Sequence, residues 1–121
     1  MEEIKVGEYC RTEAGYISKI IKKHKDLIEF DEKIISRYGE ESTYLYSDDF
    51  FGDETKEIIK HSPNIIELLE KGDIATFKYG RFEVVKPLTE EDIVDLKCGE
   101  YKLVDVLTKE QYEAIKYTVG E

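Results

Sequence analysis

Long apolar runs are missing from this sequence, and so are the marks of secretion. No window approaches 18 consecutive apolar residues, and the opening MEEIKVGE lacks the basic start and apolar stretch of a signal peptide. We therefore expect a cytoplasmic protein with no membrane contact. The two cysteines, Cys10 and Cys98, are expected to be free and mostly buried rather than paired, because thiols without a secretion signal usually stay reduced.

Catalytic signatures are also missing. The chain has no phosphate-cradling glycine loop, no metalloprotease motif and no Cys-x-x-Cys pair. Neither of its two histidines sits with acids or cysteines in an arrangement that suits a metal site or a catalytic triad: His24 lies in a lysine-flanked turn, and His61 precedes a helix cap. We expect no enzyme activity, no cofactor and no metal. A small enzyme that depends on His61 stays open as an alternative.

Basic residues are few relative to acidic ones. Lys and Arg number 18 against 28 Asp and Glu, a formal net charge of -10, which argues against direct binding of nucleic acid. The lysines of residues 19–25 are diluted by nearby acids and suggest a solvated strand end. Over half of the excess negative charge lies in residues 40–57, which contain seven acids and one base, a net charge of -6.

Short runs of β-branched and aromatic residues between turn residues make up most of the chain. They predict a mainly β (α+β) fold of small barrels or curled antiparallel sheets. The predicted strands are GYISKIIKK (15–23), DLIEF (26–30), KIISRY (33–38), KEIIKH (56–61), GRFEVVKP (80–87) and two strands in DIVDLKCGEYKLVDVL (92–107).

A repeat with an offset of 65 positions organises these strands. Gly7-Glu8-Tyr9 is followed by Gly15-Tyr16-Ile17, and Gly72-Asp73-Ile74 is followed at the same interval by Gly80-Arg81-Phe82. The pattern indicates a hairpin in which the first glycine and acid enter a strand and the second glycine supplies a positive φ for the turn.

Two short helices are expected between the strands. Thr108-Lys109-Glu110-Gln111 has the capping-box pattern and predicts a helix to about Ile115. In HSPNIIELLEKGD, Ser62 can cap a helix, Pro63 suits its first position and Gly72 can end it. Such a short helix must dock on a core, which indicates an internal joint over residues 61–70.

Residues 40–57, called here the acidic segment, are the candidate partner-binding site. Aromatic anchors among charged residues suit an interface with a basic partner. An alternative is that its aromatics pack inward and nothing binds. A calcium loop is disfavoured, since two phenylalanines replace the alternating oxygen ligands. The candidate residues are Glu40, Glu41, Tyr44, Tyr46, Asp48, Asp49, Phe50, Phe51, Asp53 and Glu54.

Three stretches, VGEYCRTEAGYISKI, IIKHSPNIIELLEKGD and LTKEQYEAIKYTV, resemble small proteins encoded by phages and prophages of low-GC Gram-positive bacteria. The shared motifs are K-H-S-x-N-I-I-x-L-I-x-x-G-D and L-T-K-E-Q-[FY]-E. The resemblance implies a phage accessory gene, with no established activity and no assigned catalytic residues. The Gly-acid strand pairs also look like SH3-like barrel modules, an analogy of fold only.

These observations predict two SH3-like barrel or curled-sheet halves, 1–60 and 71–121, joined by a helix over 61–70 into one cooperative unit. The leading hypothesis is a non-catalytic phage protein that binds a basic host protein or nucleoprotein complex. It would inhibit a nucleic-acid-targeting defence complex by nucleic-acid mimicry, as an anti-CRISPR protein does. The alternative is a protein-binding module of phage replication or regulation without mimicry. Monomer and homodimer both stay open.

Overall fold

The structure, a computed structural model, describes residues 3–35, 39–47, 53–116 and 119–120. Over these residues it is mainly β, as the sequence predicts, and contains two antiparallel sheets and two α-helices. The chain forms two compact units, Met1–Leu68 and Leu69–Glu121. Within the described residues neither sheet closes into a barrel.

The first unit contains a five-stranded antiparallel sheet in the order β4-β3-β2-β1-β5. Two short 3-10 helices, Glu54–Glu57 and Ile65–Leu68, flank the last strand. The strands are β1 (Tyr9–Thr12), β2 (Ile17–Lys23), β3 (Leu27–Ile35), β4 (Glu41–Tyr46) and β5 (Ile58–Ser62).

One apolar cluster forms the core of this unit, and every strand contributes to it. Ile4 and Tyr16 pack against its edge. Residues from both edge strands, Leu45 and Ile58, share the cluster with residues of the central strands. A single sheet can bury one face in this way only by curving around it. The cluster comprises Cys10, Ile20, Ile28, Phe30, Ile34, Leu45 and Ile58.

Strand β3 corrects the sequence prediction of two separate strands. It runs without a break for nine residues, through the exposed residues Asp31, Glu32 and Lys33. Ser18 on the neighbouring strand donates its hydroxyl to Asp31 Oδ1 at 3.0 Å, and Glu32 N donates to Ser18 Oγ at 3.2 Å. These bonds hold the charged stretch in the sheet although its side chains face water. The end of the predicted second strand, 36–38, lies outside the described residues.

The second unit contains a three-stranded antiparallel sheet in the order β7-β6-β8. Its strands are β6 (Ile74–Tyr79), β7 (Phe82–Pro87) and β8 (Lys102–Leu107), and its helices are α1 (Glu90–Lys97) and α2 (Lys109–Ile115). Gly15 in the β1-β2 turn has a φ of 93° and Gly80 in the β6-β7 turn a φ of 59°, so both glycines supply the predicted positive φ.

Helix α1 occupies a stretch predicted as strand, and that prediction was wrong. Thr89 Oγ1 accepts a hydrogen bond from Asp92 N at 3.2 Å, and Asp92 Oδ2 accepts one from Thr89 N at 2.9 Å. This capping box satisfies amides that a free helix end would leave unpaired. Leu96 is the buried residue of the helix. The β-branched Ile93 and Val94 favoured the strand prediction, and the cap overrides that preference.

The predicted joint helix over 61–70 is also largely wrong. Ser62 ends β5 instead of capping a helix, and the helical part is the 3-10 turn Ile65–Leu68. Asn64 Oδ1 accepts from Ile66 N at 3.1 Å and starts that turn. The fully buried Arg11 donates from Nη1 to Leu68 O at 3.0 Å, which attaches the turn to β1. The predicted C-terminal helix is confirmed as α2, with the Thr108 capping box.

In the first unit, a hydrogen-bonded turn at Gly7-Glu8 leads into β1. Gly7 has a φ of 93°, Glu8 N donates to Lys5 O at 3.2 Å, and Glu8 Oε1 accepts from Lys5 N at 2.7 Å. Gly7 N then donates to Ile20 O and Ile20 N to Glu8 O, both at 2.8 Å. The turn is thereby tied to the return strand of its own hairpin.

The second unit repeats this turn at Gly72-Asp73. Gly72 has a φ of 97°, Asp73 N donates to Glu70 O at 3.1 Å, and Asp73 Oδ2 accepts from Glu70 N at 2.8 Å. Gly72 N donates to Leu88 O at 2.9 Å, and Leu88 N donates to Asp73 O at 2.7 Å. The offset of 65 positions in the sequence therefore corresponds to a repeated hydrogen-bond pattern.

Candidate functional site

The acidic segment begins on β4, an edge strand of the five-stranded sheet. Strand alternation turns Leu45 into the core, where it is 1% exposed, and places Tyr44 and Tyr46 on the opposite face. The two tyrosine rings meet edge to face, with centroids 5.4 Å apart and an interplanar angle of 77°. Tyr44 remains 38% exposed. The aromatic pair therefore packs on the outside of the sheet.

These tyrosines line a cleft of about 320 Å³, called here the β4 cleft. Its lining residues are Glu40, Glu41, Ser42, Tyr44, Leu45, Tyr46 and Glu54. Glu54 comes from the first turn of the 3-10 helix at the end of the segment, and its Oε1 accepts from Tyr46 N at 3.0 Å. That bond brings residues eight positions apart into one surface.

The cleft combines three carboxylates with two phenol rings. Glu40 and Glu41 are exposed, and Glu41 Oε1 lies 3.6 Å from Lys33 Nζ on β3. A hydrogen bond with Tyr44, together with the nearby charge of Glu54, raises the pKa of Tyr46 above its usual value. The cleft therefore offers acceptors, ring faces and hydroxyl groups to a positively charged partner.

The remaining candidate residues divide into two groups. Asp53 is half-buried and caps the 3-10 helix, accepting from Thr55 N at 3.1 Å and from the Thr55 hydroxyl. Its carboxylate therefore stabilises the chain locally. Four candidates, Asp48, Asp49, Phe50 and Phe51, lie outside the described residues.

Each histidine lies next to a glutamate, and a separation of 53 positions concealed the pairing of His61 with Glu8. His61 Nδ1 is 3.1 Å from Glu8 Oε1, and both side chains are largely buried. His24 Nε2 is 3.6 Å from Glu29 Oε2 on the surface. Within the described part of the chain, His, Cys, Asp and Glu form no group of three or more that could hold a metal ion.

The Glu8 carboxylate makes stability depend on pH. Desolvation raises its pKa, but the Lys5 amide and His61 outweigh this effect and bring the pKa below the ordinary 4.5. Because the folded pKa is the lower one, Glu8 stabilises the fold fully above about pH 4.5 and loses that contribution as pH falls through the folded value. We expect Glu8→Gln to show a smaller loss of unfolding free energy between about pH 6 and pH 3.

Urea unfolding at several pH values measures this effect. Glu32→Gln, a change at an exposed glutamate of the same unit, provides the matched control and should follow the wild type. Equal acid sensitivity of Glu8→Gln and wild type would contradict the role assigned to Glu8.

The two cysteines are free, and their environments differ. Cys10 is fully buried in the core, and burial raises its pKa to about 12. Cys98 is exposed, which corrects the expectation that both thiols are mostly buried. Thiolate chemistry is therefore suppressed at Cys10.

Comparison of the chain with protein families, with curated proteins and with solved structures finds no match. In the described residues, no helix is long and apolar enough to cross a membrane.

Proposed function

We propose that the protein is a non-catalytic phage or prophage accessory protein that acts in the cytoplasm of an infected or lysogenic bacterium. It binds a basic host protein or nucleoprotein complex and inhibits a nucleic-acid-targeting defence complex, in the manner of an anti-CRISPR protein. The β4 cleft is the observation that carries this proposal. The motif resemblance supplies the phage context.

The cleft supports mimicry because it combines two properties of a nucleic acid strand. Its carboxylates present negative charge at an exposed sheet edge, and its tyrosine rings offer flat surfaces beside that charge. Basic grooves that hold nucleic acid use Lys and Arg for the backbone and stacking for the bases. A protein surface with acids and rings side by side can occupy such a groove.

We further infer that both units are SH3-like modules. Each has a Gly-acid turn, a hairpin, a third strand beside the first strand of that hairpin, and a helical turn after that strand. In the first unit, a core shared by both edge strands also favours a barrel-like curve. This inference concerns the architecture alone and assigns no activity to the protein.

The test is retention of a host partner by tagged protein in bacterial lysate, identified by mass spectrometry. A variant with Glu40→Gln, Glu41→Gln, Asp48→Asn and Asp49→Asn should bind the partner about tenfold more weakly or worse. Its residual binding should also be less sensitive to salt. Asp53 and Glu54 are left in place because their carboxylates hold the local backbone.

The matched control removes the same charge elsewhere in the chain, from four exposed acids, through Asp26→Asn, Glu32→Gln, Glu90→Gln and Glu91→Gln. It should bind like the wild type. The functional readout is plaque formation by a targeted phage on a host whose CRISPR-Cas system is active. Undiminished inhibition by the variant that neutralises Glu40, Glu41, Asp48 and Asp49 would remove the mimicry proposal.

A protein-binding module of phage replication or regulation is the second candidate. The exposure of the Tyr44 ring favours it, because an aromatic anchor can bind without charge mimicry. In that case Tyr44→Ser weakens partner retention more than the charge-neutral variant does, and phage growth on a defended host stays unchanged.

A further inference from the structure

One face of the three-stranded sheet carries three aromatic side chains that reach its open end. Phe77 and Tyr79 on β6 share this face, and the register pairs Tyr79 with Phe82 across the hairpin. Phe77 is 3% exposed, whereas Tyr79 is 56% and Phe82 71% exposed. The face therefore changes from core to surface along β6.

Tyr101, which precedes β8, completes the aromatic surface. Its ring centroid is 5.0 Å from that of Phe77 and 5.4 Å from that of Tyr79, the latter at an interplanar angle of 73°. Phe77 is buried and holds Tyr101, and Tyr101 in turn supports Tyr79. The exposed Tyr79 ring is thus positioned by its contact with Tyr101.

Helix α1 begins beside the other end of the same face. Lys86, opposite Ala75 on this face, has its Nζ 3.0 Å from Asp92 Oδ2 in the first turn of the helix. The first turn of the helix therefore lies beside the Ala75 end, where the sheet is buried, whereas Tyr79 and Phe82 at the other end are exposed.

Carboxylates border the open end. Glu100 directly precedes Tyr101 in the chain, and its backbone N donates to Asp95 O on α1 at 3.1 Å, so both acids lie near the Tyr101 ring. After desolvation, their charges contribute to a raised pKa of Tyr101. Lys78 and Lys102 pair across the sheet and project from its opposite face. Arg81 lies at the tip of the hairpin. The acidic-aromatic face is defined by Tyr79, Phe82, Tyr101, Asp95 and Glu100.

This combination selects for arginine. A guanidinium group is planar, stacks on aromatic rings and pairs with carboxylates, whereas an ammonium group keeps its hydration and does not stack. A second copy of the chain is a poor occupant, because two molecules of net charge -10 repel each other. A basic segment is attracted by the same charge.

We propose that the acidic-aromatic face is a docking site for an arginine side chain in a basic segment of a partner protein. The proposal stands independently of the host-defence function, since it depends only on residues of the second unit. The arginine stacks on the exposed rings, and its guanidinium donates to Asp95 or Glu100.

The probe is a short peptide of alternating arginine and serine, compared with its lysine counterpart. Nuclear magnetic resonance titration of the isotope-labelled full chain should show the largest amide shifts around Tyr79, Phe82 and Tyr101. The arginine peptide should bind at least about threefold more tightly than the lysine peptide. The double variant Tyr79→Ser with Phe82→Ser should abolish that preference while leaving the lysine peptide's affinity unchanged.

Val85→Ser is the matched control, because Val85 is 65% exposed on the same strand but faces the other side of the sheet. It should bind both peptides as the wild type does. Equal affinity for the two peptides, or shifts confined to the β4 cleft, would overturn the proposal. So would concentration-dependent shifts at the face without peptide, since these would make it a contact between copies.

Discussion

Replacing Asp73 by alanine is expected to lower the free energy of unfolding by about 3 kcal/mol and the melting temperature by about 10 °C or more. Asp73 is fully buried, and its two oxygens accept from Glu70 N at 2.8 Å and from Lys109 N at 3.0 Å. Alanine would leave both amides without this acceptor. The loss should loosen the Gly72 turn and the start of α2 together.

Thermal unfolding followed by circular dichroism measures this change. Asp105→Ala, at an exposed acid of the same unit, is the control and should shift stability by less than about 0.5 kcal/mol. Asp73→Asn keeps one acceptor oxygen and should fall between the two. A loss for Asp73→Ala no larger than that of the control would show that the repeated turn does not depend on its carboxylate.

Replacing Phe30 by alanine should cost the first unit about 4 kcal/mol. Phe30 is 2% exposed, lies opposite Ile20 in the sheet and belongs to the cluster that both edge strands share. Truncation removes apolar burial and leaves a cavity that the surrounding strands cannot fully close. Urea unfolding measures the change as a lower midpoint at an unchanged slope.

Phe82→Ala serves as the counterpart, because Phe82 is 71% exposed. The same chemical deletion there should alter stability by less than about 0.5 kcal/mol. If Phe30→Ala cost under about 1.5 kcal/mol, the curved core of the first unit would be packed differently from this description.

The strongest sequence signals were short-range ones. The glycines of the two hairpins and the runs of β-branched and aromatic residues in β2 and β7 predicted those elements, because turn φ values and strand preference depend on neighbouring residues. Thr108 predicted α2 through a capping box. Thr89 also starts α1 with a capping box, in which Asp92 takes the place of the glutamine or glutamate. The sequence therefore contained a signal for this helix as well.

The candidate site could be read only in part. Charge density drew attention to residues 40–57, but the edge strand β4 was not predicted, since Glu, Ser and Thr mask its alternation. The bond from Tyr46 N to Glu54 that completes the cleft depends on the fold. The sequence did not indicate the acidic-aromatic face, because Tyr101 lies 22 positions from Tyr79 and contacts it only through the sheet.

The sequence by itself determined the mainly β character, the two hairpins, the repeated Gly-acid turn, the last helix and the location of the excess charge. These properties arise from local backbone preferences and from composition. Only the tertiary structure decided that His61 meets Glu8 across 53 positions, that β3 is one strand, and which rings stay exposed. Those outcomes depend on strand register and on core packing, which couple residues that are far apart in the chain.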